Sequence, residues 1–184
     1  MSRPNEPTMP DPLAYYLTWP TYGTWLPGDE RGWVKRGRGL QPPDSVRKLE
    51  AEARMTEDAC RLDEEQRAVV EKTIVEHCQL RGWELYAKNC RSNHVHVVVA
   101  ANIKPEAVRS QLKAWCTRKL KELERQRRGI PTRSASEGRT PRDDDVRENW
   151  WAERGSRRYI NDADGLDAVI QYVRDGQDDP HNRY

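Results

Sequence analysis

Two of the four histidines in this 184-residue chain fall within three residues, His94-Val95-His96. In a β-strand, residues i and i+2 project from one face about 6–7 Å apart, so both imidazoles can reach a single ion. Such a pair needs further ligands from elsewhere. Imidazole alone suits zinc or copper, whereas a set completed by amide, carboxylate, water or substrate phosphate oxygens suits magnesium or manganese. The same pattern also suits an exposed strand face or hydrogen-bonded core histidines. Two familiar histidine chemistries are excluded by the neighbours. The HxHxDH pattern requires Asp where Val98 stands, and no His-x-Thr/Ser motif exists in the chain to form the pair that chemistry needs.

A second chemical group stands near the C-terminus, in the stretch AVIQYVRDGQ. On a helical wheel Leu166, Val169, Ile170 and Val173, at i, i+3, i+4 and i+7, share one stripe, and Tyr172 falls just outside it on the Val169 side. Tyr172 is therefore at the edge of an apolar stripe, where a phenol can be half-buried and still face a site. An amphipathic tyrosine that merely covers a sheet fits the same position.

The elements that must carry these groups can be read from periodicity and punctuation. Leu13 to Trp19 is apolar, β-branched and aromatic and stops at Pro20, which predicts a strand followed by a loop rich in Gly, Pro and aromatics. Residues 44–58 are polar with weak helical character. Val69, Val70, Ile74 and Cys78, flanked by Thr73 and His77, predict a helix capped near Asp63 to Gln66 and closed by Gly82. Residues 83–100 alternate on both sides of NCRSN and predict a hairpin whose second strand holds the histidines. A second helix begins at Pro105 and follows Val108, Leu112, Trp115 or Cys116, Leu120 and Leu123. WWAERGSRRYI reads as an extended segment with a bend at Gly155–Ser156, and a last helix runs from about Ala163 to Asp175. The order β, α, β, β, α, β, α predicts an α+β fold, a ferredoxin-like split β-α-β unit. It has a four-stranded antiparallel sheet with helices on one face, plus a C-terminal helix carrying the tyrosine. Residues 1–12 are expected as a flexible N-terminal arm, 13–178 as a single domain with a disordered loop at 129–148, and 179–184 as a tail.

Composition narrows the function classes. Leu, Ile, Val and Phe together make up 30 residues of 184, few for a folded domain, but 32 basic against 30 acidic side chains leave only +2, and seven Trp and seven Tyr supply the missing apolar surface. The balance is uneven along the chain: residues 1–103 carry a net -1, 104–142 a net +8 and 143–184 a net -5. A basic middle suits a phosphate-rich partner, although a Lys/Arg-rich helix also serves as a solvated face. No apolar run is long enough to span a membrane and the polar start lacks a signal-peptide core, so a cytoplasmic location without membrane contact is expected. Cys60, Cys78, Cys90 and Cys116 form no CxxC pair, which points to reduced structural thiols.

The opening YYLTWPTYGTWLPGDERGWV, the strand NHVHVVV, the segment WWAERGSRRYI and the helix IQYVRDGQ together resemble the HUH-type single-tyrosine transposases of the insertion-sequence kind, REP-associated tyrosine transposases among them. The resemblance spans roughly residues 13–178. It implies a tyrosine transposase, a single-stranded DNA endonuclease and strand transferase. His94 and His96 would ligate a divalent ion, Mg²⁺ or Mn²⁺, and Tyr172 would attack the scissile phosphate to leave a 5′-phosphotyrosine and a free 3′-OH. No nucleotide cofactor enters. The family places a Gln or Asn four residues after the tyrosine, where this chain has Gly176. Gln177, one residue later, becomes the third-ligand candidate if the helix ends near Gly176. Tyr159 is the other nucleophile candidate. Relatives recognise DNA hairpins and often form homodimers that exchange C-terminal helices. Arg109, Lys113, Arg118 and Lys119 are the DNA-backbone candidates. Trp25, Trp33 and Tyr22 could stack on bases or pack the core, and Trp19 is expected in the core. A non-catalytic single-stranded DNA- or RNA-binding module and an inactive, domesticated relative are the competing readings.

Overall fold

In a computed structural model of the chain, residues 11–35, 37–129 and 146–175 are described. The histidine strand is central to it. β5 (His94–Ala100) pairs antiparallel with β1 (Ala14–Pro20) on one side and β4 (Glu84–Cys90) on the other, and β6 (Ser156–Ile160) adds antiparallel to the far edge of β1. The order β4-β5-β1-β6 interleaves two β-α-β units through α2 (Glu64–Arg81) and α3 (Pro105–Arg127). This is the expected ferredoxin-like split β-α-β arrangement.

Parity decides which face each strand residue serves. Leu17, Trp19, Val95, Val97 and Val99 point to the face covered by α2 and α3, where Val70, Ile74, Val108, Leu112 and Leu120 meet them. Trp150 joins this core, and so do the four cysteines, all free and buried. Burial pushes the thiols of Cys60 and Cys78 up to about 11 and that of Cys90 up to about 12, so they stay protonated packing groups. α2 starts on a capping box in which Asp63 Oδ1 accepts from Gln66 N (2.8 Å) and Gln66 Oε1 accepts from Asp63 N (2.9 Å). It stops at Gly82, whose φ of 65° is the left-handed conformation a helix end favours in glycine.

The opposite face is covered by α4 (Ala163–Asp175), which packs on β4 and β5. Val169 and Val173 insert between Ala14, Ala87, Val98 and Ile160. Val98 explains the apolar run at the end of β5: a central strand with helices on both faces is buried on both. His94 and His96 share the parity of Val98 and so face α4.

Three features depart from the sequence reading. The aromatic loop contains a small antiparallel hairpin, β2 (Trp33–Lys35) with β3 (Gly39–Gln41), whose three-residue strands are too short to show alternation. A short helix, α1 (Ser45–Ala53), is capped by Asp44 and buries no residue, which is why only a weak periodicity marks it. Residues 146–148, assigned to the 129–148 loop, are tied down. Val146 is buried, Arg147 Nη1 donates to Asp58 O (2.9 Å), and Glu148 N donates to Glu57 Oε1 (2.9 Å). Most of that expected loop, most of the N-terminal arm, and the tail lie outside the described residues. No described helix is long and apolar enough to cross a membrane.

Candidate functional site

The strand register assembles one polar patch on the α4 face. Asn89 of β4, His96 of β5 and Thr18 of β1 are direct cross-strand neighbours, and Ser156 of β6 pairs with Thr18. Directly paired residues project to the same side, so these four form a row across the sheet. The adjacent row holds Ala87, Val98, Tyr16 and Arg158, and His94 lies two residues from His96 on the same side. The imidazole centroids of His94 and His96 are 4.6 Å apart with planes at 85°. Tyr172, half-buried on α4, brings its ring edge-on to His96 at 6.2 Å and to Tyr16 at 6.4 Å. The structure thus places Tyr172 beside His96, with His94 next to His96 on the same side of the sheet.

The electrostatics follow from burial. His96 is 7% exposed, and Tyr16 Oη lies 2.7 Å from its Nδ1. Its Nε2 is buried with no hydrogen-bond partner among the described residues. Burial, then the neighbouring His94 and Arg91, pushes the His96 imidazole down to about 3, so it is neutral at physiological pH with a lone pair to offer. Burial also holds the Tyr16 phenol above its ordinary range, reinforced by Tyr172 and opposed by Arg158. His94 Nδ1 donates to Asn93 Oδ1 at 2.7 Å. Asn89 Nδ2 donates to Val173 O at 3.1 Å, which ties the last turns of α4 to β4 and leaves the Asn89 carbonyl oxygen as an acceptor on the patch.

An orphaned, buried, neutral imidazole nitrogen beside a second imidazole is a donor set that fits a divalent cation. His94 and His96 would hold it, with an amide oxygen as a further ligand. Among the described residues no group of three or more His, Cys, Asp or Glu side chains could do so alone. Gln177, the expected third ligand, lies outside the described residues.

The remaining candidates fall elsewhere. Tyr159 pairs with Tyr15, lies edge-on to it at 5.7 Å and is 49% exposed, so it stands on the face opposite the histidines. Arg109, Lys113, Arg118 and Lys119 belong to α3 and are likewise across the sheet, not beside the histidine patch. Each also serves the fold. Lys113 Nζ donates to Ala152 O (2.7 Å) and reaches the carbonyls of Glu153 and Arg154, and burial pushes its amine down to about 8. Arg109 reaches Ser156 O, Arg118 lies over the Trp115 ring at 4.7 Å, and Lys119 pairs with Glu122 at 2.8 Å. Trp19 is fully buried in the core as expected. Trp33 Nε1 donates to Pro42 O and Trp25 Nε1 to Gly32 O, so these rings brace the loop. Tyr22 Oη accepts from Thr56 N.

Sequence reasoning does not single out Tyr16, Asn89, Arg158 or the Thr18–Ser156 hydroxyl pair as site residues. The available signal is parity: in AYYLTWP the alternate residues Tyr16 and Thr18 must share a face once Leu17 and Trp19 are placed in the core. Asn89 carries none, because its role depends on the β4–β5 register.

Two solved structures are similar to this chain. One is a REP-associated tyrosine transposase bound to a REP hairpin, 11% identical, with a TM-score of 0.46, the match covering 94% of this chain and 70% of that one. The other is a presumed transposase from Deinococcus radiodurans R1, 14% identical, with a TM-score of 0.44, covering 95% of this chain and 98% of that one. No family model and no curated protein matches the chain.

Proposed function

We propose that this chain is a transposase-type enzyme that cleaves and rejoins single-stranded DNA through a covalent bond from Tyr172 to a 5′-phosphate. The observation that carries the proposal is the meeting of the neutral His96, its partner His94 and the Tyr172 ring on one face of the sheet. His94 and His96, completed by an amide oxygen such as that of Gln177, would hold magnesium or manganese, which when bound supplies Lewis-acid polarisation of the scissile phosphate.

The chain's own residues do the rest. The Tyr172 oxygen attacks phosphorus; the tyrosyl O–P bond forms as the P–O3′ bond breaks, the phenol proton passes to solvent, and the departing 3′ oxygen takes a proton up. No water is consumed, so a 3′-OH can attack the phosphotyrosine in the reverse sense and join a strand. α4 positions the nucleophile, and Asn89 fixes that helix against β4. Arg158, on the edge strand beside Tyr16, supplies a cation on the same face for the non-bridging phosphate oxygens. Arg109, Lys113, Arg118 and Lys119 are left to contact flanking DNA on the far face. Hairpin-bearing single strands are the substrate class and a homodimer the assembly that the sequence resemblance suggests.

The test is to incubate the protein with Mg²⁺ or Mn²⁺ and end-labelled, hairpin-bearing single-stranded DNA with randomised flanks, then to run denaturing gels. An SDS-stable adduct that disappears in His94→Ala and His96→Ala is expected. Absence of any adduct, with binding retained, would identify a non-catalytic DNA-binding module instead.

A further inference from the structure

The two site histidines are held at Nδ1 by different kinds of partner, and the difference matters. Asn93 Oδ1, at 2.7 Å from His94 Nδ1, is an amide carbonyl and can only accept, so His94 must carry its proton on Nδ1. Tyr16 Oη, at 2.7 Å from His96 Nδ1, is a hydroxyl and can do either. If Tyr16 donated, His96 Nε2 would be an N–H, a buried donor with nothing to receive it, since no partner exists among the described residues. If Tyr16 accepts, both histidines share one tautomer, and His96 Nε2 presents a lone pair.

We infer that Tyr16 is a positioning residue whose hydroxyl accepts from His96 Nδ1–H and thereby fixes His96 with its Nε2 lone pair turned to the site. The near-parallel stacking of the two rings, 5.8 Å apart at 11°, holds the imidazole plane while the hydrogen bond holds the tautomer. Tyr16 is itself restrained, because its ring packs on the α4 cluster and lies edge-on to Tyr172. One side chain thus touches both the histidine and the ring of the proposed nucleophile. An outer hydrogen bond of this kind commonly changes metal affinity about 10- to 100-fold.

The inference rests on the proposed cation role of His94 and His96, and the experiment separates the two. Long-range ¹H–¹⁵N correlation spectra of the metal-free, ¹⁵N-labelled protein at pH 7.5 read the His96 tautomer directly. The expected spectrum has His94 and His96 both protonated at Nδ1. In Tyr16→Phe, which keeps the ring, His96 is expected to gain a large Nε2–H population while His94 is unmoved, and Mn²⁺ affinity measured by calorimetry is expected to fall about 10- to 100-fold. A wild-type His96 protonated at Nε2 overturns the inference without any variant having to fold. So does a Tyr16→Phe protein with an unchanged His96 tautomer. Wild-type protein that shows the expected tautomer but binds no Mn²⁺ overturns the cation role and leaves the Tyr16 assignment standing.

Discussion

Val173 is the residue through which the placement of the nucleophile can be perturbed without touching the chemistry. It is fully buried between α4 and the sheet, one residue from Tyr172, and its carbonyl accepts from Asn89. Val173→Ala removes two methyl-sized groups, about 0.8 kcal/mol each, and leaves a cavity that a single helix on a sheet closes only in part. The expected loss is about 2–3 kcal/mol in the docking of α4. α4 contacts β4 and β5, while the larger core lies on the other face under α2 and α3. The loss should therefore be read locally: hydrogen exchange over 163–175 should accelerate about 30- to 150-fold, with 105–127 unchanged. Adduct formation should fall only by the fraction of α4 that is undocked, because an undocked α4 no longer brings Tyr172 to His96. Mass-spectrometric exchange measures both segments in one experiment. Equal acceleration of α3 and α4 would refute the claim that α4 is a separately opening layer, and unchanged exchange in α4 would refute the packing argument itself.

Further consequences concern the segment that leads into β6. Glu57 accepts from Glu148 N (2.9 Å) and Asn149 N (2.7 Å), and although burial alone would raise its carboxyl, these bonds and Arg147 hold it below the ordinary value of 4.5. A carboxyl lowered in the folded state contributes stability above its unfolded pKa and loses it as pH falls below that value. Glu57→Gln should therefore cost about 1–3 kcal/mol at pH 7 and flatten the acid side of the denaturation profile below about pH 4.5, measured by urea titration across pH. Gly155 leaves no room for a Cβ, which would meet the Thr18 carbonyl and the Trp19 backbone. Gly155→Ala should cost about 1–3 kcal/mol and loosen β6 against β1, visible as a lower thermal midpoint and faster exchange over 156–160. Mn²⁺ at one hundred times its dissociation constant should stabilise the wild type by about 2.7 kcal/mol in a thermal melt, and His96→Ala should abolish that increment.

The sheet and its three long helices are legible in the sequence because each is amphipathic or apolar over enough residues to show a period, and because Pro20, Asp63, Gly82 and Pro105 mark their ends. The histidine pair and Tyr172 are legible for a related reason: strand parity and helix phase place side chains on faces. What escapes depends on relations between elements. Asn89 reaches the site only through the β4–β5 register, which shifts at a bulge between Leu85 and Ala87 that no local pattern announces. Parity puts Tyr16 on the face away from Leu17 and Trp19, but its contact with His96 exists only once β1 pairs with β5. The basic helix α3 follows the histidines in sequence, but a crossover carries it to the other face, where Lys113 and Arg109 also hold the 152–156 backbone and Arg118 covers the Trp115 ring.

The central claim is that Tyr172 is the nucleophile, and peptide mapping tests it most directly. The covalent adduct formed with Mn²⁺ and hairpin-bearing single-stranded DNA should be digested with nuclease and protease and sequenced by tandem mass spectrometry. A nucleotide 5′-phosphate on Tyr172, and no adduct from Tyr172→Phe, is the expected result. A nucleotide on Tyr16 or Tyr159, or an undiminished adduct from Tyr172→Phe, would contradict it.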